Sequence, residues 1–236
     1  MARMLVCCLL LFISVAGAQV RSISTTGDGT VGLSSRMSAR NIRAIGGGAE
    51  VRFHLFGDVL LGVKGGYAFF ALDQPDQLNR WNWRFWNERY YPKIQADMKA
   101  DPNLKSVINS VQGMDLLPVS LCLEYEFAVN DAVRLIPAVG GGVAFFTRTL
   151  YADETWTKAF PQADYTLTYN LRNFAPDKNG RSAFIDVGGS AEYHVATGVS
   201  LVAGATYREY VSVLSGDGEF PLISSVALNL GLIFHY

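Results

Sequence analysis

Three histidines are the residues of this sequence best suited to acid–base or metal chemistry, because imidazole titrates near neutral pH and binds transition metals. They are His54, His194 and His235, and they lie in three different segments of the chain. Nothing in their spacing matches a metal-ligand motif. We therefore expect them not to converge and to serve as polar packing residues, with a metal or proton-sensing cluster as the alternative.

Glu124 and Glu126 are a second candidate, because paired carboxylates perform general acid and base catalysis in glycosidases. They share one face of an alternating segment, and Arg134 follows soon after. A nearby cation favours structural ion pairing over an open catalytic cleft. The sequence has no nucleophile-elbow, P-loop, dinucleotide-binding or Cys/His metal motif. We therefore predict no catalytic, cofactor-binding or metal-binding residue, and we expect that the protein is not an enzyme.

The segments that must position these residues alternate between apolar and polar side chains, which indicates half-buried β-strands. In residues 117–127 the odd positions are apolar, whereas the even positions include Ser120, Glu124 and Glu126. A soluble barrel would turn the apolar face inward, and a membrane barrel would turn it towards lipid. The same alternation runs through residues 45–55, 59–71, 133–145, 183–195 and 199–213.

The composition of the two faces favours the membrane barrel. The polar face combines glycine and alanine with charges of both signs, which suits the crowded interior of a narrow barrel. The apolar face carries aromatic residues near both of its ends, where membrane strands cross the lipid interfaces. One group comprises Phe53, Tyr125, Phe127, Tyr193, Phe234 and Tyr236, and the other comprises Tyr67, Phe69, Phe145 and Tyr207.

The last segment, residues 226–236, alternates throughout and stops on an aromatic residue. In this it resembles the closing strand of bacterial outer-membrane β-barrel proteins, and the whole pattern is similar to the outer-membrane protein A/X-like eight-stranded barrels. The resemblance implies that Phe234 and Tyr236 form a C-terminal signal that the barrel-assembly machinery reads. It also implies that the partners include outer-membrane lipid and lipopolysaccharide, and that the protein is located in the bacterial outer membrane.

The first residues indicate export. Arg3 precedes an apolar run and the small residues 16–18, so we predict a signal peptide over residues 1–18 and a barrel domain over residues 19–236. The predicted mature chain keeps only Cys122, which excludes an intramolecular disulfide. Its 19 basic and 21 acidic residues, after the loss of Arg3 from the 20 basic residues of the whole chain, give a net charge of −2. This balance argues against a nucleic-acid partner, and we expect a monomer.

Connection lengths predict the topology of the barrel. Tight turns around Gly57, Asn130 and Thr197 alternate with two long connections, which begin near Asp73 and Tyr151. Seven strands are clear, and an even number is required, so a weak first strand is predicted at Thr26–Arg36. The fold class is thus all-β: an eight-stranded antiparallel up-and-down transmembrane β-barrel with two long extracellular loops. The seven clear strands are predicted near residues 41–56, 58–72, 114–128, 132–150, 182–196, 199–213 and 221–236.

Centring each tight turn places opposite charges across the neighbouring strands. The lumen of an eight-stranded barrel is narrow enough for side chains to fill, and buried charges require partners. We therefore predict three ion pairs that close the bore: Glu50–Lys64, Glu126–Arg134 and Asp186–Arg208.

All four tryptophans lie in the two long connections. One interpretation is a surface that binds a protein, a glycan or an outer-leaflet lipid, with Arg80, Arg84 and Arg89 meeting lipopolysaccharide phosphates. The favoured interpretation is that the rings pack the loops on the barrel rim. We also predict one helix from Pro92, a second from Pro102 to Gly113, and a hairpin through Tyr165–Leu171. The candidate loop surface comprises Trp81, Trp83, Trp86, Tyr90, Tyr91 and Trp156.

The sequence therefore predicts an integral outer-membrane barrel with a structural or adhesive role exercised through its long loops, and not an open general porin. One alternative is an outer-leaflet lipid-modifying enzyme, for which the histidines are predicted to lie at the wrong end of the barrel. The other is a small-solute pore, which requires an unobstructed lumen.

Overall fold

The computed structural model describes residues 20–33, 42–72, 78, 81–216 and 220–236. The predicted signal peptide, residues 1–18, lies outside this part of the chain. The described strands are β1 (Val20–Leu33), β2 (Ile42–Phe56), β3 (Val59–Leu72), β4 (Leu104–Tyr125), β5 (Phe127–Ala128), β6 (Val133–Phe160), β7 (Tyr165–Phe174), β8 (Lys178–Ala196), β9 (Val199–Gly216) and β10 (Ser224–His235).

Eight antiparallel strands form a closed ring in the order β1, β2, β3, β4, β6, β8, β9, β10. The ring closes where β10 returns to β1, with His235 opposite Ser22 at one end and Ser224 opposite Leu33 at the other. The predicted eight-stranded barrel is therefore confirmed. Its weakly predicted first strand exists, but β1 begins at Val20 rather than near Thr26. Pairing with both β2 and β10 fixes this serine- and glycine-rich segment, whose own alternation is weak.

The three predicted tight turns lie at one end of the barrel, where β1 also begins and β10 ends. Gly57 and Gly198 have φ values of 53° and 76°, a region that glycine enters without steric cost. At the turn between β5 and β6, the Asn130 side chain accepts hydrogen bonds from the backbone N–H groups of Ala132 and Val133, at 2.9 and 2.8 Å. This is the periplasmic end, by the arrangement of bacterial barrels.

Strands β4 and β6 continue well beyond the ring at the external end. The helix predicted from Pro102 to Gly113 is wrong, because residues 104–111 form the first part of β4 and pair with residues 151–158 of β6. Asp101 forms a turn instead of a helix cap, since its side chain accepts the N–H of Asn103 at 3.0 Å. The predicted hairpin is confirmed: β7 folds back along β6, from Tyr151 opposite Phe174 to Phe160 opposite Tyr165.

The helix predicted from Pro92 is present as α1 (Tyr91–Ala100), and a π-helical turn, Trp86–Tyr90, precedes it. Within the part of the chain that the structure describes, no helix combines the length and the apolar character needed to cross a membrane.

Side chains alternate between the outside of the barrel and its lumen. On β10 the outward residues Leu228 and Leu230 are 65% and 70% exposed, whereas Glu124 on β4 and Arg52 on β2 face inward and are buried. An exposed aliphatic belt of this kind is stable only against lipid. The predicted orientation, with the apolar face outward, is therefore confirmed.

Candidate functional site

Arg52 lies at the centre of a buried charge network in the periplasmic half of the lumen. Its Nε is 2.7 Å from Glu124 Oε2, and its Nη2 is 3.2 Å from Glu50 Oε2. Its Nη1 contacts the carboxylate of Glu192. These glutamates belong to β2, β4 and β8, so one guanidinium joins opposite walls of the barrel. The sequence did not reveal Arg52 as the central residue, because the charges it meets lie across the bore and not along one ladder.

Lys64 completes this network. Its Nζ is 3.2 Å from Glu50 Oε1 and 2.8 Å from Glu124 Oε1, and Lys64 lies directly opposite Glu50 on the neighbouring strand. The Cys122 thiol lies within donating distance of either carboxylate, 3.6 Å from Glu50 and 3.5 Å from Glu124. The atoms of Glu50, Cys122 and Glu124 that could ligate a metal ion lie within 4.8 Å of one another. Lys64 and Arg52 already supply the positive charge there, so this set does not favour a metal ion.

Asp186 and Arg208, also expected to pair, lie opposite each other on β8 and β9. The guanidinium donates to both carboxylate oxygens, at 2.7 and 2.9 Å, and it also lies over the face of Phe184, 4.0 Å from the ring. The two residues line a cavity of about 170 Å³ above the Arg52 network, with Asp28 on the adjoining wall. Its lining runs from Arg52, Lys64 and Glu124 at one end to Phe70, Leu116 and Tyr210 at the other, and a polar cavity of this size has room for ordered water.

Glu126 and Arg134, the third expected pair, meet at the periplasmic mouth with 3.0 Å between Oε1 and Nη1, and Arg21 lies 3.6 Å from the same carboxylate. They are not opposite each other in a ladder. Arg134 faces Ala128 on β5 and Glu192 on β8, because Glu126 lies in the break between β4 and β5.

The external half of the lumen is filled by an apolar plug rather than by charges. It could have been found in the sequence, because inward positions change from charged to apolar along β2, β3, β4 and β6 towards the external end. The plug comprises Ile42, Ala44, Phe70, Leu72, Met114, Leu116, Ala144, Phe146, Phe184, Tyr210, Phe220 and Leu222.

Two of the three histidines converge, contrary to the expectation from the sequence. His194 Nδ1 and His235 Nε2 lie 2.6 and 2.9 Å from the hydroxyl oxygen of Ser200, and the two rings are 5.1 Å apart. The strand between them, β9, supplies the bridging serine, which adjacency along the sequence does not reveal. Ser200 is fully buried, so it is not accessible as a nucleophile. His54 lies apart, 2.7 Å from the carbonyl oxygen of Gly57.

The four indole rings hold the first long connection down on the barrel mouth. Trp81, Trp83, Trp86 and Trp156 are all at most 6% exposed, and Tyr90 and Tyr91 pack against them. The candidate loop surface is therefore corrected: these rings form a cap, as the favoured interpretation held. They are buried because α1 and the π-helical turn lie across the inward face of the extended β4 and β6.

The buried carboxylate of Glu154 links the cap to β6 and β7. Although this carboxylate is 1% exposed, it accepts hydrogen bonds from Tyr90 Oη, Trp156 Nε1 and Asn173 Nδ2, at 3.0, 2.8 and 2.6 Å. Burial and the neighbouring carboxylate raise the pKa of the Tyr90 hydroxyl. The loop, β6 and β7 thus share one acceptor.

Trp81 contacts two cations, since the guanidinium carbon of Arg148 and the Lys178 ammonium lie 5.0 and 4.8 Å from the centre of its ring. Of the arginines considered for lipopolysaccharide, Arg84 is bound to Glu88 at 2.7 Å, and Arg80 lies outside the described residues.

Above the cap rises a three-stranded sheet made of residues 104–111, 151–160 and 165–174, which we call the projecting sheet. On its inward face, β7 presents an apolar row that we call the β7 stripe: Tyr165, Leu167, Tyr169 and Leu171, exposed by 56, 39, 40 and 45%. Tyr169 stacks on Trp156 with an interplanar angle of 4°. The sequence predicted the alternation of this hairpin but assigned the interaction surface to the tryptophans.

The C-terminal strand ends as predicted, with Phe234 and Tyr236 on the outside of the barrel and 41% and 73% exposed. The backbone N–H of Tyr236 donates to the carbonyl oxygen of Arg21 at 3.1 Å, which fastens the end of β10 to the start of β1. That the barrel-assembly machinery recognises Phe234 and Tyr236 stays a prediction.

No protein-family model and no curated protein matches this sequence. Among solved structures, the chain is similar to neisserial surface protein A, with 14% identity over 93% of this chain and 99% of that one and a TM-score of 0.49. It is also similar to a major outer membrane protein of Thermus thermophilus, with 14% identity over 92% and 99% and a TM-score of 0.48. The attachment invasion locus protein of Yersinia pestis matches with 10% identity over 92% and 100% and a TM-score of 0.38.

These likenesses concern the fold alone. The class of protein is defined by the molecule itself: a closed ring of eight antiparallel strands, an aliphatic belt turned outward, and short turns at one end with long extensions at the other. That is the architecture of an eight-stranded outer-membrane β-barrel protein.

Proposed function

We propose that this protein is a surface-interaction protein, in which the barrel serves as a membrane anchor and the projecting sheet makes the contacts. The observation that carries the proposal is the contrast between a lumen obstructed at several levels and an exposed apolar stripe above the barrel mouth. Monomeric soluble surfaces rarely expose contiguous apolar patches without a binding role. The β7 stripe stands above the lipid belt, so lipid does not account for it.

The obstructed lumen argues against a pore. The Arg52 network, the apolar plug and the tryptophan cap lie one above another, and the cavity between the first two is about 170 Å³. An ion that crossed them would have to break buried ion pairs and then enter an apolar region, and both steps are costly.

The position of the histidines argues against outer-leaflet lipid chemistry. His54, His194 and His235 all lie at the periplasmic end, whereas a lipid-modifying site would lie at the external rim.

The proposed partners beyond the surface ligand are outer-membrane lipid with its lipopolysaccharide, and the assembly machinery that would recognise Phe234 and Tyr236. Arg172, on the outward face of β7, is placed over the Tyr151 ring at 4.3 Å, where the strands leave the lipid.

Two measurements on the purified protein test this function. In planar bilayers, no stable single-channel current is expected, and a steady conductance would overturn the closed-lumen part of the proposal. Vesicles that carry the protein are then applied to an array of immobilised glycans, matrix proteins and identical vesicles. Binding to at least one probe is expected, and the paired substitutions Leu167→Ser and Leu171→Ser should remove it.

The matched control changes the opposite face of the same strand. Thr166→Ser and Thr168→Ser keep the hydroxyls and leave the β7 stripe intact, so their binding should equal that of the parent. If the stripe variant binds as well as this control, or if the parent binds no probe at all, the interaction role is lost and only a scaffolding role remains.

A further inference from the structure

We infer that β7 pairs with β7 of a second copy of this chain held in a facing membrane, which makes the contact homotypic. This inference rests on the proposed function and identifies its partner. In the paired state Tyr169 lies opposite its own copy, Leu167 opposite Leu171, and Tyr165 opposite Asn173.

The outer edge of β7 is available for strand pairing. In the described residues, β7 is hydrogen-bonded to β6 on one side and to no strand on the other. Such an edge presents a row of unpaired backbone N–H and C=O groups, and natural proteins usually guard it with charged side chains, Pro or a bulge. The ten residues of β7 contain no Pro and one charged residue, Arg172, whose charge is paired with Asp153 of the same chain. The pairing of β7 with β6 is regular.

The side chains of β7 are self-complementary in an antiparallel pair. Residues that lie opposite each other across two strands share a face, so centring the pair on Tyr169 places the stripe of one copy beside the stripe of the other. Apolar contacts form between Leu167 and Leu171 twice, once on each side of the axis. On the polar face Thr168 meets Asn170 and Thr166 meets Arg172, so no like charges lie opposite each other.

Charge complementarity also favours a second copy. Arg172 already donates two hydrogen bonds to Asp153, at 2.6 and 3.0 Å. In the pair, the Asp164 of the other copy becomes the diagonal neighbour of Arg172, within reach of a long side chain. Asp164 makes no ion pair with any residue in the described ranges. Each guanidinium would therefore bridge two carboxylates, one from each copy.

The direction of the strands requires that the copies lie in facing membranes. Barrel strands tilt by about 35–45° from the membrane normal. Two copies in one membrane are related by an axis along that normal, so their β7 strands would cross steeply and point to the same side. Only an axis in the plane between two membranes makes the strands antiparallel, and it does so at any tilt.

One such contact is weak, because a strand of ten residues buries less than the roughly 1,200 Å² of a standard stable interface. Facing membranes carry many copies, however, and binding by many weak contacts at once strengthens the attachment without any new surface. We therefore expect clustering of membranes rather than a stable dimer in dilute detergent.

Disulfide trapping tests the pairing and its register. Opposite residues in an antiparallel pair lie within the Cα separation that a disulfide needs. The native thiol, Cys122, is buried in the lumen and should give no cross-link, which makes the parent its own control. Tyr169→Cys should cross-link to itself, and Leu167→Cys should cross-link to Leu171→Cys in a mixture but not to itself. Because Tyr169 packs on Trp156, the mixed pair keeps the test valid if Tyr169→Cys folds poorly.

The cross-links should form between two separately labelled vesicle populations and not between copies diluted in one vesicle. Light scattering provides the second measurement. Tyr169→Asp places two carboxylates opposite each other and should reduce vesicle clustering at least tenfold, whereas Tyr165→Asp faces Asn173 and should reduce it far less. The absence of both the Tyr169 self-link and the Leu167–Leu171 link, or equal clustering by the two Asp variants, would overturn the inference. Binding to a glycan or matrix probe without these cross-links would leave the proposed function standing with a different partner.

Discussion

Arg52 is the residue on which the periplasmic half of the lumen depends, because it faces three buried carboxylates at once. Arg52→Met removes the charge while keeping an apolar stem of similar length. Glu50 and Glu124 would then keep Lys64 as their cation, whereas Glu192 would lose its contact with the Arg52 guanidinium. Breaking a buried ion pair by removing one partner costs about 3–5 kcal/mol, so we expect a loss of that size in the free energy of unfolding, measured with urea in lipid vesicles.

Lys64→Met is the matched control, since its ammonium touches two of the same carboxylates but its side chain is 35% exposed. Its loss should be clearly smaller, because solvent can screen the carboxylates on that side. Equal losses for the two variants, or no loss for Arg52→Met, would contradict the central position of Arg52.

Glu154 gives a second prediction at this scale, in the cap. Glu154→Leu leaves the donors of Tyr90, Trp156 and Asn173 without their acceptor, and each unsatisfied buried donor costs about 1–3 kcal/mol. We expect the segment 81–100 to become sensitive to protease while the barrel itself stays folded. Glu154→Gln retains an acceptor oxygen and should be intermediate. Full protection of the cap in Glu154→Leu would show that the indole packing alone holds it.

At the residue scale, the sequence predicted contacts along a ladder and missed contacts across the bore. The pairs Glu50–Lys64 and Asp186–Arg208 follow from turn position and face parity, because the two strands are neighbours. The contact of Arg52 with Glu192 depends on the radius and stagger of the closed ring, which no local pattern contains. His194 and His235 were missed for the same reason, because they come together across the intervening strand, at Ser200.

At the element scale, alternation predicted the strands well wherever lipid and lumen impose two different faces. The sequence prediction was wrong at residues 104–111, where Pro102 and Gly113 suggested a helix. Those residues leave the membrane, and their conformation is set by pairing with the long β6 strand. Local helix signals were therefore overridden by a partner that lies far away in the sequence.

The glycines of β6 provide a prediction at this scale. A Cβ at Gly142 would lie 2.0 Å from the carbonyl oxygen of Val119, whereas a Cβ at Gly65 meets nothing within 4 Å. Gly142→Ala must therefore push β4 away from β6 and should reduce the yield of heat-modifiable, folded barrel. Gly65→Ala should fold like the parent. Normal folding of Gly142→Ala would show that the two strands do not approach so closely.

At the scale of the whole molecule, the barrel separates two tasks. The wall and its lumen provide anchoring, with charges near the periplasm and apolar side chains near the outside. The cap closes the mouth, and the projecting sheet carries the surface that remains free to bind. The sequence indicated the orientation of the wall and the existence of the loops. It also favoured packing of the tryptophan rings on the barrel rim, but it could not indicate that α1 would fold across the mouth and cover them.

The most direct test of this account is the environment of successive residues of β4 in a lipid bilayer. Nitroxide labels at Leu117, Leu121 and Leu123 should collide with lipid-soluble oxygen, because these side chains are about half exposed on the outside of the barrel. Labels at Leu116 and Ser120, which face the filled lumen, should be protected both from oxygen and from a water-soluble nickel complex. The reverse alternation, or access of the nickel complex to the inward positions, would contradict a lipid-facing barrel with an obstructed lumen.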